Sequence, residues 1–136
     1  MDVRGWWDER VVPRLVDRSL DDRIAGPWRD SVCGGASGTV LELGFGSGRT
    51  LPFYPPAVTR VLAVDPSDLA WEMATVRVTA SRMPVERVAT DAASLPLPPA
   101  SVDTVVSTWS LCTIPDLDGA LAELGVPAVV YAHTRV

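Results

Sequence analysis

The run Val40-Leu41-Glu42-Leu43-Gly44-Phe45-Gly46-Ser47-Gly48 constrains this chain more than any other stretch. An apolar segment of strand type leads directly into three glycines spaced two apart, with an acidic residue two before the first of them. A strand that ends in such a turn presents backbone N–H groups and lets a ligand approach the main chain where bulky side chains would obstruct it. The turn therefore points to a cofactor site of nucleotide type just past the end of a strand.

The rest of the chain supplies a framework for such a site. Residues 3 to about 30 read as helical with breaks, Pro13 limiting the first helix, and a Gly34-Gly35-Ala36-Ser37-Gly38 loop follows. Strands are expected at Thr39 to Leu43, Val61 to Val64, Val85 to Thr90, Val102 to Ser107 and Ala128 to Tyr131. Between them, Ser47 to about Tyr54 predicts a short helix containing Pro52. Pro66-Ser67 predicts the start of another that carries Leu69, Met73, Val76 and Ala80 at helical spacing. A helix opening at Asp116 carries Leu117, Ala120, Leu121 and Leu124 and stops at Gly125 and Pro127. The strands are nearly continuous runs of Val, Leu and Ala, as in a sheet covered on both faces. Strand–helix alternation of this kind predicts an α/β fold, a Rossmann-like, doubly wound, mostly parallel sheet of about five strands. Residues 1–35 form an N-terminal helical segment in this reading, and residues 36–136 form the core.

Composition narrows the partners. The 136 residues carry 12 Lys and Arg against 17 Asp and Glu, a formal charge of −5. That charge disfavours nucleic acid and anionic membrane surfaces, which need a basic face. No apolar run reaches the ~20 residues needed to span a bilayer. Cys33 and Cys112 stand far apart and have no paired metal-ligand spacing, so no metal site is expected, and reduced thiols in a cytoplasm are the default expectation.

Acidic residues at the ends of the next two strands sharpen the site. Asp65 ends the second strand, 21 residues beyond Gly44, where a carboxylate can accept hydrogen bonds from a ribose diol. Asp91 ends the third, where it can accept from an adenine amino group while Ala92 offers a backbone N–H to the ring. Each has a plainer reading: Asp65 before Pro66-Ser67 also fits a helix cap, and Asp91 fits a cap or solvated loop. Glycine turn, Asp and Asp at three successive strand ends make a more specific set than any one of them. Dinucleotide binding is the nearest rival, but its fingerprint places the third glycine where this chain has Arg49. A pyrophosphate also prefers a helix N-terminus without a nearby carboxylate, and Glu42 sits just before the turn.

Taken together, Glu42-x-Gly44-x-Gly46-x-Gly48, the Val61 to Pro66 strand end, and Asp91-Ala92-Ala93-Ser94-Leu95-Pro96-Leu97 resemble class I S-adenosylmethionine-dependent methyltransferases of the type 11 domain. Ser101 to Val106 and Trp109 to Ile114 resemble that domain's fourth strand and following loop. The small thiol-methyltransferase-like group is the nearest in look, through Leu51-Pro52-Phe53-Tyr54-Pro55 and Leu111-Cys112-Thr113-Ile114. The resemblance covers roughly residues 36 to 124. It implies S-adenosyl-L-methionine as cofactor and a small-molecule methyl acceptor. Gly44, Gly46 and Gly48 would cradle the methionine part, with Glu42 orienting its amino end. Asp65, followed by Pro66, would hold the ribose, Asp91 and Ala92 the adenine, and Ser107 and Thr108 would face the methyl group.

In-line transfer from a sulfonium depends mostly on proximity and orientation, so no catalytic base is assigned. His133, the only histidine, Cys112, and the Trp6-Trp7 pair are each read more simply as structural. After Leu124 the chain departs from the family pattern: it runs through Gly125-Val126-Pro127 to a fifth strand and ends at Val136, without the last two strands of the methyltransferase fold. The fifth strand is then an edge that invites a homo-oligomer. A truncated, non-catalytic protein that binds cofactor or a partner chain is the alternative, with a nicotinamide-dependent oxidoreductase behind it.

Overall fold

A computed structural model describes residues 22–92, 94–108, 122, 125 and 128–132. Five strands form one sheet: β1 (Gly38–Leu43), β2 (Val58–Val64), β3 (Val85–Ala89), β4 (Thr104–Thr108) and β5 (Ala128–Ala132). Their order is β3-β2-β1-β4-β5, and every adjacent pair is parallel. β1 lies at the centre, with Leu41 level with Leu62 on one side and Val105 on the other. The chain builds β1, β2 and β3 outward in one direction and then crosses back to add β4 and β5 on the opposite side of β1. The strand order therefore reverses between β1 and β4, and the crevice at their carboxyl ends is where open α/β sheets bind ligands.

Both faces of β1 are buried, because side chains alternate along a strand. Val40, Val61, Ala63 and Val106 pack with Val32 and Cys33 of helix α1 (Asp22–Cys33) and with Phe45, Leu51, Tyr54, Ala74 and Met83. Leu41, Leu43, Leu62, Val64 and Val105 pack on the other face with Ala92 and Val102, and the half-buried Leu95 and Leu97 close over them. Burying side chains of this size contributes roughly 1.5–3 kcal/mol each. Because Val32 and Cys33 belong to the sheet's own core, α1 is part of the domain rather than an appendage to it.

The strands expected from the sequence are present, β2 beginning three residues earlier than its apolar run. Two expected helices differ. Ser47 to Tyr54 makes no α-helix but only a single 3-10 turn at Leu51–Phe53, because Gly48 takes the left-handed region (φ 78°) and Pro52 follows. The helix after Pro66-Ser67 is two short helices in tandem, α2 (Asp68–Met73) and α3 (Thr75–Ala80). Ser67 caps the first by accepting from the N–H of Ala70 at 3.1 Å, and the Ala74 N–H at the junction is shared between the carbonyls of Ala70 and Trp71. β-Branched residues at 75, 76, 78 and 79 weaken the second half. The helix expected from Asp116 lies outside the described residues, although Gly125 has the left-handed φ of 56° expected of a stop.

The entry to β1 is fastened across to β4. Asp103 accepts from the N–H of Thr39 at 2.8 Å, and its carboxylate occupies the space a side chain at Gly38 would need: a Cβ there would lie 2.2 Å from Asp103 Oδ2. Thr104 Oγ1 both donates to the Ser37 carbonyl and accepts from its N–H. Among the described residues no helix is long and apolar enough to cross a membrane.

Candidate functional site

The glycine turn leaves β1 at the point where strand order reverses. Gly44, Gly46 and Gly48 all have left-handed backbones, with φ of 72°, 59° and 78°. A turn built this way needs glycine on conformational grounds alone. At Gly46 a Cβ would meet nothing nearer than the Gly44 carbonyl at 3.9 Å, so the main chain there borders open space.

The end of β2 holds the turn in place. The N–H groups of Gly44 and Phe45 both donate to the Val64 carbonyl, at 2.9 and 3.1 Å. Asp65, next along, is buried; its Oδ2 accepts from the N–H of Gly46 at 2.9 Å and its Oδ1 from that of Ser67 at 2.8 Å. One carboxylate thus joins the glycine turn to the start of α2. Two hydrogen bonds leave about half of a carboxylate's acceptor positions for a ligand. From β3, Arg87 fixes the same corner, donating through Nε and Nη2 to the Asp65 carbonyl and through Nη1 to Asp68. Arg77 of α3 donates to the Ser47 carbonyl at 3.1 Å, and the Phe45 ring packs on Trp71 of α2 with centroids 5.6 Å apart.

Glu42, two residues before Gly44, lies inside the core. Its side chain is fully buried on the α1 face of the sheet, where it accepts from Thr50 Oγ1 at 2.5 Å and Tyr54 Oη at 2.8 Å. Burial pushes its carboxyl up to about 7, against the two hydrogen bonds and the nearby Arg29 of α1, which favour ionisation. Burial likewise raises the Tyr54 hydroxyl and pushes the Cys33 thiol up to about 12, so neither is a nucleophile.

The structure brings Gly44, Gly46, Gly48, Asp65 and Pro66 together at one corner, with Ser107 beside them: Ser107 is buried at the end of β4, level with Leu43. Asp91 is exposed past the end of β3, and Ala92 is buried against the sheet. The Thr108 side chain, Cys112, His133, Trp6 and Trp7 lie outside the described residues. The sequence did not single out Thr50 and Tyr54, Arg77 or Arg87. The one indirect signal is that an acidic residue inside an apolar strand must find donors, which does not say where in the chain they lie. A cavity of about 400 Å³ between Arg60, Leu62, Val88, Leu97 and Ser101 opens elsewhere on the sheet; Arg87 lines it as well as bracing the Asp65 corner.

Residues 41–125 match the family described as "Methyltransferase domain". No curated protein matches the chain in sequence. Solved structures share its fold. A candidate S-adenosyl-L-methionine-dependent methyltransferase from Methanococcus maripaludis matches at a TM-score of 0.68 and 16% identity, over 88% of this chain and 62% of that one. A SAM-dependent methyltransferase from Aquifex aeolicus matches at 0.65 and 21%, over 85% and 68%. The YcgJ protein of Bacillus subtilis matches at 0.57 and 22%, over 76% and 45%. The chain therefore spans from under half to about two thirds of these relatives' length.

Proposed function

We propose that this chain, which belongs to the methyltransferase domain family, binds S-adenosyl-L-methionine at the carboxyl edge of β1 and transfers its methyl group to a small-molecule acceptor. The observation that carries the reading is the glycine turn: three left-handed glycines fastened by Asp65, with a 3-10 turn in place of an α-helix behind them. A diphosphate is held by the N–H groups and dipole at the start of a helix. No α-helix starts at this turn, so no helix dipole adds to its backbone N–H groups, and a buried carboxylate lies beneath it; a nicotinamide dinucleotide therefore fits it poorly. A cofactor with a cationic, amino-acid-like part fits it well.

The bound cofactor supplies a methyl group on a sulfonium, already a good leaving group. The protein's part is then to bind and orient. The turn from Gly44 to Gly48 takes the methionine portion at close backbone approach. Asp65, held rigid by Gly46 and Ser67, presents its remaining acceptor positions to the ribose hydroxyls, with Pro66 fixing the chain direction beside it. Asp91 and Ala92 flank the adenine, and Ser107 and Thr108 stand at the methyl end. Glu42 acts from below, through the turn. Rate enhancement comes from fixed geometry, which can supply several powers of ten without a general base.

Isothermal calorimetry with S-adenosylmethionine, S-adenosylhomocysteine and NAD tests the reading. Heat with the first two and none with NAD is expected; heat with NAD alone would overturn it. A methyl-transfer assay on thiols, phenols and quinols follows. Binding without transfer would favour the second reading, a cofactor-binding protein without activity.

A further inference from the structure

Glu42 is an unusual residue for the centre of a buried sheet. Its neighbours across the strands are Ala63 and Val106, neither of which offers a polar group. Its two hydrogen bonds come instead from residues 8 and 12 positions later in the chain. Those donors lie beyond the glycine turn: the chain leaves β1 at Leu43, passes through Gly44 to Gly48, and returns to the same strand at Thr50 and Tyr54. The two bonds therefore tie the exit of the turn to its entry. An ionised carboxylate accepts from both hydroxyls at once. A protonated one must donate from one oxygen, so that one hydroxyl reverses or loses its acceptor.

Among the described residues the charged and titratable groups facing Glu42 are few. From α1, Arg29 favours its ionised form, and from the end of β2, Asp65 opposes it. Cys33 of α1 and Tyr54 after the 3-10 turn are both kept neutral by burial. Burial is the largest influence and leaves the carboxyl titrating at about 7, where neither form is dominant near neutrality.

We propose that Glu42, Thr50 and Tyr54 form a proton-linked latch under the glycine turn, closed when Glu42 is ionised, and that a cationic cofactor seating in the turn expels the proton to solvent and closes it. The inference rests on the turn being the cofactor site, and it makes Thr50 and Tyr54 positioning residues that act through Glu42. S-Adenosylmethionine carries one net positive charge, from its sulfonium; S-adenosylhomocysteine lacks it. A positive charge near the turn favours the carboxylate, so the bound state holds fewer protons than the free one. Affinity must then rise with pH through neutrality, and more for the sulfonium compound.

Calorimetric titration of the full chain tests this at about pH 6 and about pH 8, in two buffers of different ionisation heat, for the natural protein and Glu42→Gln. If binding lowers the Glu42 pKa by about one unit, affinity at the lower pH falls about fivefold relative to the higher. The ligand's own amino group titrates in both proteins and cancels in the comparison. The expected result is a pH dependence and proton release for S-adenosylmethionine that shrink for S-adenosylhomocysteine and vanish in Glu42→Gln. Binding with the same pH dependence in both proteins overturns the latch and leaves the cofactor reading standing. Absence of binding by the natural protein at either pH overturns the cofactor reading and the latch with it. Should Glu42→Gln fail to fold by circular dichroism, Tyr54→Phe decides: removing one donor moves the midpoint of the affinity–pH curve upward if the latch is real, and an unmoved midpoint overturns it.

Discussion

Gly46 and Gly48 occupy the same backbone region, yet they differ in what surrounds them. A Cβ at Gly46 meets open space, so Gly46→Ala carries only the left-handed strain, about 1–2 kcal/mol. A Cβ at Gly48 would also press on Phe45 Cζ at 3.1 Å and Leu51 Cδ1 at 3.4 Å, adding roughly another 1–3 kcal/mol of overpacking. Urea unfolding of the two variants checks the ranking, and equal losses would mean that the Phe45 ring gives way freely. Asp65→Ala removes a carboxylate that serves the turn, α2 and, in the proposed function, the ribose. Affinity for S-adenosylmethionine is expected to fall by roughly 1.5–3 kcal/mol for each charge-assisted bond lost, read by calorimetry. Glu42 gives a signed prediction. Its folded pKa of about 7 lies above the ordinary glutamate value of 4.5, so between the two the folded protein holds a proton that the unfolded chain has released. Stability from this group is complete below the lower value and declines as pH rises toward the upper, by up to about 3 kcal/mol. Denaturant midpoints at acid and alkaline pH should show that decline, and Glu42→Gln should flatten it. The glycines and Asp65 were legible from spacing alone. The hydroxyl partners of Glu42 were not, because nothing in a linear sequence says that a turn will fold residues 50 and 54 back over residue 42.

Elements were legible where burial on both faces imposes an apolar run, as in β1, β2 and β4. Legibility was lower where backbone geometry decides. The stretch from Ser47 to Tyr54 has enough helix-compatible residues to suggest a helix, yet one left-handed glycine and one proline reduce it to a single 3-10 turn. The connection from that turn into β2 is held by a residue no periodicity marks. Arg82, just past α3, donates to the carbonyls of Val58, Tyr54 and Pro55. It stands in for the regular hydrogen bonding that this proline-rich corner lacks. Arg82→Ala is expected to lower the melting temperature by several degrees, about 1–2 kcal/mol after allowance for solvent exposure. Arg82→Lys should recover little of it, since one ammonium cannot reproduce the fork of a guanidinium. A thermal melt followed by far-ultraviolet circular dichroism distinguishes the three proteins.

At the scale of the molecule, strand–helix alternation is enough for the fold class but not for the strand order, since many orders satisfy the same alternation. That order predicts a gradient of protection. β1 is paired on both sides and buried on both faces, so amides from Val40 to Leu43 and their partners in Val61 to Val64 should exchange slowest with deuterium. β3 pairs with β2 alone among the described strands and should exchange faster; equal rates in β1 and β3 would contradict the gradient. The same order has a consequence for the chain as it leaves the ribosome. β1, β2 and β3 emerge in the sequence in which they pair, so half of the sheet can form as it is made. The other flank of β1 must wait for Thr104, about 60 residues after Leu43, which is several seconds at ordinary elongation rates. For that interval the central strand of the nascent protein has one bare side, and slowing translation between β3 and β4 would lengthen the time it is open to chaperones and to aggregation.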